Sequence, residues 1–193
     1  MPQSAPFLRF ALAAVILLAA AAPPAAAEIF FDVGAHSTRL DTDVPDGPML
    51  STKSSGAHVG IGVRRTLERG NDIGIRLEAE RVDSNPYLAL RVLDYRFNLS
   101  ERFALGFFFG AARLDTDEAA YGWYFGTGLH VKKLLPEWDL GIDFRFGDSL
   151  QRDSVLPTDA PITGPRNDYF YEADGVSVYL SRGFGKRSNA RTQ

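Results

Sequence analysis

Charged side chains recur at every second position along several segments of the sequence. In residues 71–82, NDIGIRLEAERV, the charges of Arg76, Glu78 and Glu80 are separated by apolar residues. Carboxylates and guanidinium groups gathered on one face form ion pairs rather than a catalytic centre. Five acids and five bases share such a face, namely Asp32, Arg64, Arg76, Glu78, Glu80, Asp94, Arg96, Lys132, Asp143 and Arg145.

Three histidines, His36, His58 and His130, are the remaining residues suited to acid-base or metal chemistry. His36 precedes Ser37, but no motif of the type His-x-Ser-Asn follows. His36 and His58 would face each other on paired strands, yet no third metal ligand is evident, and a zinc site needs at least three. The sequence therefore predicts no catalytic, cofactor-binding or metal site.

The N-terminus carries a secretory pattern. Arg9 precedes the apolar run FALAAVILLAAAA (10–22), which is followed by Pro23, Pro24 and three alanines. The run is shorter than the ~20 residues of a transmembrane helix, and it ends in a small-residue cleavage pattern. We expect residues 1–27 to be a signal peptide and the folded chain to begin near Glu28.

Composition narrows the classes of partner. The 193 residues are 45% hydrophobic and 23% charged, with a formal net charge of −3. Such a small charge gives no strong attraction to nucleic acid. Cysteine is absent, which excludes disulfides and thiolate zinc sites.

Alternation of apolar and polar residues predicts eight β-strands and no long helix. The predicted strands cover residues 28–39, 56–67, 71–82, 87–98, 102–113, 121–134, 138–147 and 171–184. The connections after the second, fourth and sixth strands are short, whereas those after the first and seventh are long (40–55 and 148–170). Short turns at one end and longer loops at the other are typical of outer-membrane barrels.

The side-chain volumes show which face lies inside. The face opposite the charges carries large apolar residues, while the charged face also carries nine glycines. The interior of an eight-stranded barrel has little more space than its side chains fill. We therefore expect the glycines and charges to line the lumen and the apolar face to meet lipid.

Aromatic residues near the predicted strand ends support two interfacial girdles. The predicted girdle residues are Phe103, Trp123, Trp138, Tyr171 and Phe184. Strand four breaks the alternation, because Arg91 shares a parity with Leu93. A β-bulge near Arg91 would resolve this conflict.

The signal peptide, the eight alternating strands, the lumenal charges and the last strand GVSVYLSRGF (175–184) resemble the small OmpA/OmpX-type outer-membrane barrels. The resemblance implies an all-β, eight-stranded, antiparallel up-and-down transmembrane barrel over residues 28–184. It also implies that the terminal aromatic Phe184 is read by the barrel-insertion machinery. The polar tail 185–193 is too short to be the peptidoglycan-binding domain of the larger members.

These observations favour a non-enzymatic protein of the bacterial outer membrane, with an ion-paired lumen and a structural or surface-interaction role. The expected partners are outer-membrane lipids, lipopolysaccharide and the insertion machinery, and the expected state is a monomer. Two alternatives stay open. One is a barrel enzyme that modifies lipid A, which would need a nucleophile-base pair at its lipid-facing rim; the other is a soluble periplasmic barrel that binds a ligand.

Overall fold

The computed structural model describes residues 27–43, 49–67, 70–116, 119–152 and 170–184. The predicted signal peptide, apart from Ala27, and the predicted tail 185–193 lie outside the described residues. The long connection 153–169 lies outside them as well. The domain bounds set by these segments therefore stay predictions.

Eight antiparallel strands form one closed barrel, as predicted. Each strand pairs with the next, and β8 closes the barrel on β1. Within the described residues, no helix is long and apolar enough to cross a membrane. The strands are β1 (Ala27–Asp43), β2 (Leu50–Thr66), β3 (Asp72–Val82), β4 (Asn85–Asn98), β5 (Phe103–Asp115), β6 (Ala119–Leu135), β7 (Trp138–Arg152) and β8 (Phe170–Phe184).

The first hairpin is longer than the apolar alternation predicts. β1 continues to Asp43 and β2 begins at Leu50, with Thr42 paired to Leu50. Most of the predicted long connection 40–55 is therefore strand. These residues are mainly Ser, Thr and charged, and those of the β2 segment 50–55 are largely exposed, so this part of the hairpin needs no apolar side.

A two-residue turn joins β3 to β4. Asp83 and Ser84 both have positive φ, at 49° and 68°, which is the type I′ geometry that matches the twist of a hairpin. Asn85 and Pro86, which the sequence pattern placed in the connection, are the first residues of β4.

A β-bulge in β4 resolves the conflict around Arg91. The ladder with β3 shifts between the pairs Gly74–Asp94 and Arg76–Arg91, so two residues of β4 face one residue of β3. The two residues of the bulge, Val92 and Leu93, both point outward, at 48% and 42% exposure. The bulge thereby turns both Arg91 and Asp94 into the lumen, where each is buried.

The barrel is polar inside and apolar outside. Large apolar side chains such as Ile61, Phe107 and Phe125 are 50%, 52% and 55% exposed on the outer face. Arg76 and Glu78, by contrast, are 0% and 1% exposed. Such an outer surface belongs in lipid, and the closed ladder satisfies the backbone groups as a bilayer requires.

Candidate functional site: the barrel lumen

Arg76 lies at the centre of the charged lumen. Its Nη1 donates to Asp32 Oδ2 at 3.0 Å, and its Nη2 donates to Asp94 Oδ2 at 2.9 Å. Glu78 and Asp143 lie further off, at 3.6 and 3.7 Å from Nη1. One guanidinium thus offsets part of the charge of four carboxylates carried by β1, β3, β4 and β7.

Arg91 is the second cation of this central group, and the alternation pattern did not assign it to the lumen. Its Nη2 lies 2.5 Å from Glu78 Oε1, and its Nη1 lies 2.7 Å from Asp143 Oδ2. The guanidinium also stacks 3.6 Å from the centre of the Phe108 ring. Arg91 therefore shares two carboxylates with Arg76, which lowers the cost of burying either charge.

Glu80 organises the polar groups nearer the loop end. Its carboxylate lies 2.7 Å from His58 Nδ1 and accepts hydrogen bonds from Arg145 Nη2 at 2.9 Å and Ser177 Oγ at 3.3 Å. His36 Nδ1 lies 3.0 Å from Thr38 Oγ1 and 3.6 Å from Glu80 Oε2. Both histidines are thus held against one carboxylate.

The charges at the turn end are less enclosed. Arg64 Nε donates to Glu28 Oε2 at 2.7 Å, and Arg64 Nη2 lies 3.7 Å from Asp139 Oδ2. Lys132 Nζ lies 3.6 Å from Asp72 Oδ2, with 19% of the Lys132 side chain exposed. The polar filling therefore reaches the turn end of the barrel.

We call the lumenal charges from these three levels the ionic cluster. It contains the ten predicted residues together with Glu28, Asp72, Arg91 and Asp139. Alternation did not assign Arg91 to the lumen, because the bulge at Val92 and Leu93 reverses the inside–outside parity of β4. The position of a bulge cannot be specified by periodicity alone. Asp139 does share the parity of Gly141 and Asp143, so the alternation of β7 contained the signal that would have found it.

Glycines leave the space that these large side chains occupy. A Cβ at Gly60 would lie 3.1 Å from Asp32 Oδ2 and 3.5 Å from Arg76 Cδ. A Cβ at Gly106 would lie 2.6 Å from His130 Nε2, closer than van der Waals contact allows. The glycines of the inner face are therefore a packing requirement of the ionic cluster.

The lumen changes character at the loop end, where the lining is apolar and fully buried. We call these residues the loop-end cluster, namely Leu40, Val82, Tyr87, Ala89, Phe108, Ala112, Leu114, Ala120, Tyr124, Leu150 and Ala173. Arg145 lies 4.5 Å from the centre of the Tyr87 ring. This contact joins the ionic cluster to the apolar layer above it.

The three histidines all point into the lumen, at 1–3% exposure. None lies at the lipid-facing rim where a lipid A-modifying enzyme would need its base. Among the described residues, no group of three or more His, Cys, Asp or Glu side chains could hold a metal ion.

The predicted girdle residues divide between the two faces. Phe103, Trp123 and Phe184 are exposed outside, at 46%, 60% and 50%. The Trp138 ring lies 5.4 Å from the Phe31 ring, which stacks on Phe184.

Tyr171 departs from the girdle prediction, because it packs inward against the loop-end cluster. It has the parity of Ala173 and Ser177, both of which are buried in the lumen. The position of Tyr171 near a strand end is typical of a girdle residue, but the alternation along β8 directs its side chain into the lumen.

Comparisons with known proteins agree with this architecture. No protein-family profile and no curated protein sequence matches the chain. Among solved structures, it resembles Ail, the attachment invasion locus protein of Yersinia pestis, in complex with the heparin analogue sucrose octasulfate. The two share 10% identity over 82% of this chain and 99% of Ail, with a TM-score of 0.51. The fold is that of the small outer-membrane β-barrels.

Two further solved barrels match nearly their whole length. Neisserial surface protein A shares 13% identity over 80% of this chain and 97% of its own, with a TM-score of 0.45. The outer-membrane protein AlkL shares 13% over 90% and 96%, with a TM-score of 0.48. The closed eight-stranded fold and the apolar exterior place this barrel in the bacterial outer membrane.

Proposed function

We propose that this protein is a non-enzymatic, non-conducting barrel of the outer membrane, and that its role is structural or carried by its outer surface. The observation that carries the proposal is the filled lumen. The ionic cluster occupies the barrel from the turn end upward, and the loop-end cluster closes it above. An ion would have to displace paired guanidinium groups and then cross an apolar layer.

The position of the histidines supports the absence of catalysis on lipid A. A lipid substrate reaches a barrel from its outer face, whereas His36, His58 and His130 lie inside. His58 and His36 are also engaged with Glu80. A Ser-His pair at the lipid-facing rim, which acyl transfer would need, is not formed by any of them.

The outer surface supports the partners that we propose. Exposed apolar residues form the contact with lipid, and Phe184 ends β8 on the outer face, where the insertion machinery would read it. The closed ladder leaves no open sheet between β8 and β1. We therefore propose a monomer, inserted with the end of the barrel at which β7 ends and β8 begins toward the cell exterior.

Electrical recording on planar bilayers tests the closed lumen. The refolded protein is expected to give no stepwise conductance, while a porin of 16 strands in the same bilayer gives open-channel steps. A shift of the band on heating before electrophoresis verifies that the added protein is a folded barrel. Regular ohmic steps from the folded wild-type protein would contradict the proposal.

A further inference from the structure

The second half of the barrel repeats sequence patterns of the first half. Strands β1, β2 and β3 each share a stretch with the strand that lies four positions further along the barrel. The shared stretches are RLDT at 39–42 and 113–116, the glycine pattern of GAHVGIGV (56–63) and GWYFGTGL (122–129), and DIGI (72–75) with DLGI (139–142). Inward residues of β1–β3 therefore have counterparts on β5–β7, and the two halves can be compared position by position.

At one level of the lumen the two halves differ in chemistry. In the first half, His36 and His58 both lie against the carboxylate of Glu80. The counterparts of these three residues in the second half are Gly110, Tyr124 and Gly147. The closed barrel is thus built on one side without a histidine or a carboxylate at these positions, so packing alone does not account for the polar group on the other side.

The imidazole of His58 lies between two carboxylates. Its Nδ1 is 2.7 Å from Glu80 Oε1, and its Nε2 is 3.8 Å from Glu78 Oε1. The side chain is 1% exposed, and Nε2 has no hydrogen-bond partner among the described residues. A neutral imidazole that donates from Nδ1 would present the lone pair of Nε2 to Glu78, whereas an imidazolium presents an N–H group to each carboxylate.

The buried charges around this imidazole do not balance. The carboxylates that form ion pairs with Arg76 or Arg145 are Asp32, Glu78, Glu80, Asp94 and Asp143. The guanidinium groups that pair with these carboxylates, among the described residues, are Arg76, Arg91, Arg96 and Arg145. Five acids against four bases leave one negative charge in excess, and an uncompensated buried charge is strongly destabilising. One bound proton restores the balance.

The other two histidines of the lumen are less suited to hold that proton. His130 Nε2 lies 3.7 Å from Asp143 Oδ1, and no second carboxylate of the described residues pairs with this imidazole. His36 Nδ1 lies 3.6 Å from Glu80 Oε2, the same oxygen that accepts a hydrogen bond from Arg145 Nη2. A proton on either ring would therefore gain fewer carboxylate contacts than a proton on the ring that lies between two of them.

The site is enclosed by titratable groups from six other strands and joins the two regions of the lumen. These groups are His36 on β1, Glu78 and Glu80 on β3, Tyr87 and Arg91 on β4, Tyr124 on β6, Asp143 and Arg145 on β7, and Tyr179 on β8. Two of the tyrosines belong to the loop-end cluster: Arg145 contacts the ring of Tyr87, and Tyr124 OH donates to Glu78 at 3.4 Å.

We propose that His58 is a proton-binding site that locks the lumen in mild acid. It holds one proton between Glu78 and Glu80, directly beneath the loop-end cluster. Loss of this proton turns the lone pair of Nε2 toward Glu78 and leaves one buried negative charge unbalanced. Because the folded barrel holds the proton more tightly than the unfolded chain does, the stabilisation is complete at acidic pH and is lost as the pH rises.

Nitrogen-15 NMR of the refolded full chain in detergent, labelled at histidine, reads the protonation of each ring nitrogen. At about pH 6.5 a histidine of an unfolded chain is roughly half protonated, and a tenfold tighter hold raises that fraction to about 90%. We expect one imidazole of the folded barrel to reach this level and His58→Gln to remove its signal. A His58 ring that is no more protonated than the histidines of the urea-unfolded chain would overturn the proposal.

Urea unfolding in lipid vesicles measures the consequence for stability. Between about pH 5.5 and pH 8.5 the unfolding equilibrium constant of the wild type is expected to rise about tenfold, as the loss of one tightly held proton predicts. His58→Gln should abolish this rise. His130→Gln is the matched control, because it makes the same substitution at another buried histidine of the lumen, and it should keep the rise.

An unchanged pH dependence in His58→Gln, or its loss in His130→Gln alone, would contradict the proposal. The gel shift on heating is read for every variant, so that a failure to form the barrel is recognised. If His58→Gln does not fold, the variants His36→Gln and His130→Gln assign the His58 signal by elimination, and its protonation in the wild type then decides.

Discussion

The lumen of this barrel has two regions that are filled by opposite means. The ionic cluster fills the middle and the turn end with guanidinium groups and carboxylates, whereas the loop-end cluster fills the last layer with leucines, alanines and tyrosines. In the proposed function both regions block a continuous water path, but the first depends on charge balance and the second on shape. Losing one member should therefore have different consequences in the two regions.

The two regions respond differently because the removal of a side chain leaves different defects in each. In the ionic cluster, every side chain is the partner of others, so a deletion strands charges that were desolvated together. In the loop-end cluster, deletion of an aliphatic side chain leaves a cavity but no unpaired group. Substitutions test this difference between the two regions. The largest effect is expected at Arg76, and pairs of variants from the two regions then measure the smaller effects.

Replacing Arg76 by alanine is expected to have the largest effect. It leaves Asp32 and Asp94 buried without their shared cation, and removing one partner of a buried pair costs about 3–5 kcal/mol. Urea unfolding in lipid vesicles, followed by the fluorescence of Trp123 and Trp138, measures the loss. Arg65→Ala, which removes an exposed outward arginine, is the control and should change the unfolding free energy by less than ~0.5 kcal/mol.

A second substitution separates stranded charge from lost packing. In Arg76→Met/Asp94→Asn, one carboxylate is neutralised along with the cation, and stability should recover part of the loss seen in Arg76→Met alone. If the double variant loses the sum of the two single effects, the pair is not coupled. The ionic cluster would then be filled by packing, like the loop-end cluster.

Leu114→Ala is expected to have the next largest effect. Leu114 is fully buried in the loop-end cluster, and truncation of a buried leucine costs about 2–5 kcal/mol through lost transfer energy and the cavity. Planar-bilayer recording of this variant should still show no conductance steps, because the ionic cluster remains. Conductance from Leu114→Ala would mean that the apolar layer alone closes the barrel.

The strand count and the inside-out sheet could be predicted because each depends on local alternation. Ile61, Phe107 and Phe125 are outside, and Arg76 and Glu78 inside, as their parity required. The lumenal contacts could not be predicted, since they join residues far apart in the chain. Arg145 meets Glu80 and Thr38 only because the barrel closes.

Arg91 and Tyr171 show where alternation fails. A bulge reverses the parity of Arg91, and nothing in the local pattern fixes which residue is doubled. Tyr171 points inward, as alternation along β8 requires. It was assigned to the outward-facing girdle only because it lies near a strand end. The loop-end cluster was missed because alanines and leucines near strand ends have no distinctive periodicity, and they become a layer only when six strands bring them together.

Two tyrosines, one in each region of the lumen, test the difference between the regions through the smallest expected effect, the loss of one hydroxyl. Tyr179 OH donates to Asp143 Oδ2 at 2.9 Å in the ionic cluster. Tyr87 lies in the loop-end cluster, and its hydroxyl has no hydrogen-bond partner among the described residues. Removing a hydroxyl that donates to a charged group costs ~1.5–3 kcal/mol, whereas removing an unpaired buried hydroxyl should cost nothing or add stability.

Tyr179→Phe should therefore lower the unfolding free energy, and Tyr87→Phe should leave it within ~0.5 kcal/mol of the wild type. The same urea titration measures both, and each variant serves as the control for the other because the ring and its volume are kept. If Tyr87→Phe costs as much as Tyr179→Phe, the Tyr87 hydroxyl has a partner such as a buried water. The polar filling would then extend into the loop-end cluster, and the boundary between the two regions would lie nearer the loops.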